Sequence, residues 1–241
     1  MFNQEENIRQ VQSRINQLIA NCDKSVFVII DGDRTLIPTD STLFFFDHLK
    51  KDFTDLENIF HKSGYSFESF YNAALYYSQI DRELYLEACK VSATCVDIYP
   101  EFLSFINSLQ DRAELIVVTS GIRQSWKNVL KNHSLEFMHL IGGNYFPDDN
   151  FVIDKNAKGL IAEMLIASHK EVFAFGDTMI DFEMLKKATH SFLVVNEKQN
   201  DDFTEFFVEI PHLQQISFSD FAHSNLTLTN LVTVANNILR K

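Results

Sequence analysis

The chain has 241 residues, 46% of them hydrophobic and 22% charged, a globular composition that excludes wholesale disorder. Its formal net charge of −12 argues against general nucleic-acid or anionic-membrane binding, because phosphate backbones are held by lysine and arginine. A small phosphorylated ligand is compatible with that charge if a metal or a lysine reverses the local field.

Ile8, Val11, Ile15, Leu18 and Ile19 recur at helical spacing and predict an amphipathic helix over 5–20. Val26-Phe27-Val28-Ile29-Ile30 is a continuous apolar run, the pattern of a strand buried on both faces of a parallel sheet. It ends at Asp31-Gly32-Asp33-Arg34-Thr35. Residues 41–98 differ: Phe67, Phe70, Tyr71, Ala74 and Leu75 fit one helix face, as do Leu84, Ala88, Val91 and Cys95. No strand-like run interrupts them, so a helical insert is expected, with Phe44–Phe46 packing it onto the core and Cys89 and Cys95 inside. Pro100 opens a helix carrying Phe102, Phe105, Ile106 and Leu109. Buried-strand runs return at Leu115–Val118, Phe137–Ile141, Glu171–Phe175 and Ser191–Val195. Phe146–Ile153, around Pro147-Asp148-Asp149-Asn150, reads as a hairpin or flap. A helix with Leu160, Ile161, Met164 and Leu165 follows Gly159, and the tail with Leu231, Val234, Ala235 and Ile238 is helical. Strands alternating with helices indicate an α/β fold with a parallel sheet. The expected division is a core of residues 1–40 and 99–241, including the N-terminal helix, and a helical unit of residues 41–98.

No apolar run approaches the roughly 18 residues of a membrane span. The acidic start Met1–Glu6 lacks the apolar segment of a signal peptide. Cys22, Cys89 and Cys95 form no CxxC pair, which points to a reducing, cytoplasmic setting. The eight histidines show no metal spacing.

The polar residues gather where strands end, the edge at which open parallel sheets bind ligands. Asp31 and Asp33 follow the first strand, Thr119 the second, and Asp177 and Asp181 the fourth, while Lys158 stands at the start of a helix. Four carboxylates, a hydroxyl and a lysine converge if the sheet is built in this way. Ser120 rivals Thr119 for the hydroxyl position and Lys155 rivals Lys158 for the ammonium. Asp181 has the alternative of N-capping the helix that begins at Phe182. Arg34 reads as solvated or salt-bridged, and Asp148 and Asp149 as turn formers.

Asp31-Gly32-Asp33-Arg34-Thr35 resembles the DxDxT signature of the haloacid-dehalogenase (HAD) superfamily. Thr119, Lys158 and Gly176-Asp177-x3-Asp181 are similar to its second, third and fourth motifs, so the resemblance covers residues 25–195. Asn156-Ala157-Lys158-Gly159 and Met184–Ala188 are similar to stretches of its phosphoserine-phosphatase group. The resemblance implies a Rossmann-like core with an inserted helical cap. It also implies a Mg²⁺-dependent phosphomonoester hydrolase that acts on a small phosphorylated metabolite through an aspartyl-phosphate. Asp31 would be the nucleophile, and Asp33 the acid to the leaving oxygen and then the base to water. Mg²⁺ would sit on Asp31, the Asp33 backbone carbonyl and Asp177, with Asp181 supporting it. Thr119 and the Ser120 and Gly121 amides would hold the phosphoryl oxygens, and Lys158 would neutralise their charge.

In the cap, Asp40 stands at the distance from Asp31 where the group has an amine-binding acid, although it could as readily N-cap the first cap helix. Asn72 stands where the group has a carboxylate-binding arginine, and Thr178 and Ile180 depart from its fourth motif. Losing a bidentate arginine disfavours phosphoserine and favours a leaving group that is neutral or carries an amine. The alternatives are phosphoserine phosphatase proper, a phosphotransferase on the same fold, or a non-catalytic phospholigand-binding protein. No nucleic-acid or membrane partner is expected, and the protein should be a monomer or homodimer.

Overall fold

A computed structural model describes residues 3–143, 145–146, 148–195, 203–220 and 222–240. Helix α1 (Gln4–Ala20) starts where the Asn3 side chain accepts the Glu6 N–H, and it buries Val11 and Ile15. Strand β1 (Val26–Asp31) is buried at every position. Val26, Val28 and Ile30 enter one apolar cluster, whereas Phe27 and Ile29 enter another on the opposite face. After a turn over 32–36 come α2 (Ser41–Leu49), α3 (Thr54–Ser63), α4 (Phe67–Ser78) and α5 (Arg82–Ser92). The chain continues through α6 (Pro100–Leu109), β2 (Glu114–Val118), α7 (Arg123–Asn132), β3 (His139–Ile141) and α8 (Lys155–Ala167). Next are β4 (Glu171–Gly176), α9 (Phe182–Lys187), β5 (His190–Val195), α10 (Thr204–Glu209), β6 (Gln214–Ser217), β7 (Thr227–Thr229) and α11 (Leu231–Leu239).

Among the described residues the strands form one sheet of seven, ordered β3-β2-β1-β4-β5-β6-β7. Every pairing is parallel. Helices α6, α7 and α11 cover one face, and α1, α8, α9 and α10 cover the other. From β1 the chain first moves outward to β2 and β3, then returns to the other side of β1 at β4. That reversal opens a crevice at the carboxyl ends of β1 and β4.

Helices α2–α5 build an aromatic cluster of their own, in which Phe45 meets Phe46, Tyr77 and Tyr85 edge-on at centroid distances of 5.5, 5.8 and 5.5 Å. Phe44 points the other way and packs against the sheet's apolar cluster. Helix α5 buries Tyr85, Ala88, Cys89 and Ser92, which leaves Leu84 exposed, and Cys95 is exposed beyond its end. Of the hairpin or flap expected over 146–153, the described residues include no strand and so form no hairpin, and Pro147 lies outside them. Phe151, Val152 and Ile153 are buried, as their apolar character suggested. The backbone of Val152 pairs with a side chain instead: its N–H donates to Asn7 Oδ1 at 2.8 Å, and its carbonyl accepts from Asn7 Nδ2 at 3.0 Å. Gly159 lies inside α8 rather than before it. Among the described residues no helix is long and apolar enough to cross a membrane.

Gly32 supports the wall beside β1. A Cβ there would stand 2.5 Å from two ring carbons of Trp126, which is fully buried. Gly32→Ala should therefore cost about 1–3 kcal/mol through overpacking. Urea unfolding followed by the emission of Trp126, the chain's one tryptophan, measures it; an unchanged midpoint would show that the indole has room to move.

Candidate active site

Asp31 is the last residue of β1, and its carboxylate reaches the crevice beside β4. The turn that follows is sharp: Arg34 adopts left-handed φ of 62°, and its N–H donates to the Thr39 carbonyl at 3.0 Å. The turn orients Asp33, whose Oδ1 accepts the Ser41 N–H at 2.7 Å and whose Oδ2 accepts Trp126 Nε1–H at 3.2 Å. Thr35 donates its hydroxyl to Asp177 Oδ1 at 3.0 Å, and Arg34 Nε lies 3.2 Å from Asp177 Oδ2. Arg34 is thus salt-bridged, within the alternatives open from its sequence.

Lys158 rather than Lys155 enters the site. Asp154 caps α8 by accepting the Ala157 N–H at 2.8 Å, which places Lys158 one turn into the helix with its side chain buried. Its Nζ donates to Asp31 Oδ1 and, at 2.6 Å, to Asp181 Oδ1. Asp181 occupies the N-cap position of α9 without capping it. Its Oδ2 turns back instead to accept the Asp177 and Thr178 N–H groups at 3.1 and 3.2 Å.

Burial and charge set the protonation of these groups. Burial, reinforced by the Asp181 charge and countered by Lys158, pushes Asp31 up to about 6. Burial and the nearby Asp40 charge push Asp33 up to about 7. Burial, with the charges of Asp31 and Asp181, raises Asp177 well above the carboxylate range. Burial disfavours the Lys158 ammonium, but Asp181 and Asp31 outweigh it and hold Lys158 above its ordinary value. Asp31, Asp177 and Asp181 each bring a buried carboxylate oxygen, and these oxygens lie within 4.8 Å of one another. Four carboxylates here face two cations, Lys158 and Arg34. Oxygen donors and surplus negative charge suit a hard divalent cation.

Across the crevice Thr119, one residue past β2, accepts the Gly121 N–H on its hydroxyl at 2.9 Å. The Gly121 amide is therefore turned toward Thr119, while the Thr119 hydroxyl keeps its own proton to donate. Ser120 and Gly121 line the same cavity of about 560 Å³ as Asp31, Asp33, Thr119 and Lys158.

The outer part of that cavity differs from the sequence expectation. Asp40 takes the capping role, accepting the Thr42 N–H at 2.9 Å to cap α2, and it also lines the cavity. Asn72 does not line it; α4 contributes Phe70, Ala73 and Tyr77. Phe45 and Phe46 are consumed by packing within α2–α5. Sequence reasoning missed the wall from α3 and its flanks, where Phe53, Glu57, Phe60, His61 and Tyr65 face the cavity. It also missed Trp126. The single-turn spacing of Phe53, Glu57, Phe60 and His61 was the available signal.

A family model described as haloacid dehalogenase-like hydrolase matches residues 28–186. Among solved structures, a phosphoserine phosphatase as a phospho-aspartyl intermediate analogue superposes with a TM-score of 0.53 at 16% identity, over 71% of this chain and 87% of that one. A HAD family hydrolase from Salmonella enterica subsp. enterica serovar Typhi gives 0.58 at 12% identity, over 88% and 79%. A phosphoserine phosphatase from T. onnurineus, in complex with NDSB-201, gives 0.55 at 16% identity, over 89% and 94%. At these identities the likeness is one of fold. No curated protein matches the sequence significantly. The family match runs from β1 through α9 and takes in every member of the buried charge network, so the chain belongs to the haloacid dehalogenase-like hydrolases.

Proposed function

We propose that the protein is a Mg²⁺-dependent phosphomonoester hydrolase that works through an aspartyl-phosphate on Asp31. The observation that carries this reading is Lys158 bonded to both Asp31 and Asp181 in a cavity shared with Thr119 and Asp33. The residues this reading makes nucleophile, proton carrier and phosphoryl-binding hydroxyl all line that cavity.

Asp31, Asp177 and Asp181 would hold Mg²⁺, which when bound offsets the charge of the phosphate dianion facing Asp31. An Asp31 oxygen attacks phosphorus, and its new bond forms as the bond from phosphorus to the alcohol oxygen breaks. Asp33 gives its proton to the departing oxygen. It then takes a proton from the water that attacks the aspartyl-phosphate, which releases phosphate and restores Asp31. A carboxyl raised to about 7 suits both duties near neutral pH. The N–H donors of Ser41 and Trp126, one on each oxygen, aim that carboxyl. The Thr119 hydroxyl and Lys158 hold the phosphoryl oxygens as charge builds on them. Helices α2–α5 act as a cap that selects the alcohol.

The leaving group tests the role of Asp33. Asp33→Asn should lower turnover of an alkyl phosphate by about 10²–10⁴-fold, the usual worth of general acid–base assistance. Phosphoenzyme formation from p-nitrophenyl phosphate, whose leaving group scarcely needs a proton, should fall far less. Rapid-quench kinetics on both esters measures this; equal losses would remove Asp33 from the role.

The raised carboxylates also give a pH signature. Asp31 and Asp33 hold protons in the folded, metal-free protein that they lose when unfolded, where the ordinary value is 3.8. Folding stability of the metal-free protein should therefore fall as pH rises from about 4 to about 7. Mg²⁺ relieves the repulsion that ionisation creates, so the gain in Tm on adding it should be larger at pH 7.5 than at pH 5. Thermal melts with chelator and with Mg²⁺ measure it, and a gain independent of pH would place the ion elsewhere.

A further inference from the structure

We infer that the alcohol part of the substrate carries a flat ring bearing a cationic nitrogen, seated between α3 and α4; this rests on the phosphomonoesterase reading above. The cavity volume is the first argument. About 560 Å³ lies within the roughly 300–1,000 Å³ of pockets that enclose drug-sized ligands, room for more than a phosphoryl group joined to a short alcohol.

The walls are the second. Beyond the phosphoryl end the cavity is lined by Phe53, Phe60, Tyr65, Phe70 and Tyr77. Phe60 meets Phe70 edge-on at 5.1 Å, and Tyr65 lies parallel-stacked on Phe70 at 6.5 Å and tilted to Phe60 at 5.8 Å. Tyr65 is nonetheless 48% exposed at the cavity mouth, so its ring is only partly consumed by that cluster. A flat ring gains offset-stacked or edge-on contacts from such a wall that an aliphatic chain lacks, and a cation gains from the ring faces.

Charge is the third. Asp40 lines the cavity one residue before Ser41, whose N–H donates to Asp33 at 2.7 Å, and Glu57 lies on α3, one turn before His61. Arg34 also lines the cavity, with its Nε turned to Asp177 Oδ2 at 3.2 Å. A carboxylate on the alcohol would meet Asp40 and Glu57, whereas a protonated nitrogen would be attracted to both.

Matched esters test the inference. Phosphate release with Mg²⁺ would be measured for 4-(aminomethyl)benzyl, benzyl and 4-carboxybenzyl phosphate, with phosphoethanolamine as the amine without a ring. The para groups are remote from the scissile oxygen, so the three rings differ chiefly in charge. The expected kcat/KM falls from the amine to benzyl to the carboxylate, about tenfold across the series. The aminomethyl ester should exceed phosphoethanolamine by about tenfold. Glu57→Gln should shrink the amine-to-carboxylate ratio by about threefold, and Tyr65→Ala should shrink the ratio of ringed to ringless amine. Both side chains are exposed, and circular dichroism checks that the fold is kept. Phosphoethanolamine matching the ringed amine, or the carboxylate matching it, would overturn the inference while leaving the hydrolase intact. No phosphate from any ester, p-nitrophenyl phosphate included, would overturn the hydrolase reading and the inference with it.

Discussion

Burying carboxylates in one crevice is the constraint around which the rest of this molecule is arranged. An ionised carboxylate removed from water must be paired or hydrogen-bonded, or it takes up a proton. Lys158 is the common partner here, holding one oxygen each of Asp31 and Asp181. Asp181 places its other oxygen under two backbone N–H groups, and Asp177 draws on Thr35 and Arg34. Even so, burial, reinforced by neighbouring carboxylate charges, makes Asp31, Asp33 and Asp177 all resist ionisation. A site in that condition suits a divalent cation, which in the proposed reaction would make a phosphate dianion tolerable beside Asp31.

The sheet supplies the geometry this network needs. Parallel strands end at one edge, and β1 and β4 are neighbours, so Asp31 and Asp177 arrive side by side from distant parts of the sequence. Backbone must then approach closely enough to leave the carboxylates in place. A Cβ on Gly121 would stand 2.5 Å from Asp33 Oδ2 and 3.1 Å from Thr119 Oγ1, so glycine there leaves the Asp33 carboxylate and the Thr119 hydroxyl in place. Trp126 completes the arrangement from below. Its indole fills the space that Gly32 leaves and gives its one polar hydrogen to Asp33. Packing of the core and orientation of the Asp33 carboxylate therefore rest on the same side chain.

The central strands were legible because burial on both faces leaves an unbroken apolar run, as at Val26–Ile30. The charged residues were legible because their spacing placed each just past such a run. The sequence favours Lys158 over its rival Lys155, and the Asp154 cap, which fixes where α8 begins, places Lys158 in the site. Elements α10, β6 and β7 escaped notice for a physical reason: β6 buries only Gln215 and Ile216, and β7 is a short edge strand with no buried position. The hairpin alternative over 146–153 does not form: apolar residues reveal burial and not the backbone's partner, here the Asn7 amide. The cavity wall on α3 was hidden for a similar reason. Aromatic residues at helical spacing look alike whether they face a core or a cavity, and only the tertiary packing of α3 against α4 separates Phe60 from Phe46.

The claim on which the account turns is that Asp31 carries the phosphoryl group. Acid-quenching the enzyme in mid-turnover of p-nitrophenyl phosphate, followed by peptide mass spectrometry, tests it most directly. The account predicts a hydroxylamine-labile phosphate on Asp31 that appears within the first turnover and vanishes as substrate is exhausted. Steady phosphate release with no covalent adduct, or with the adduct on another residue, would contradict it.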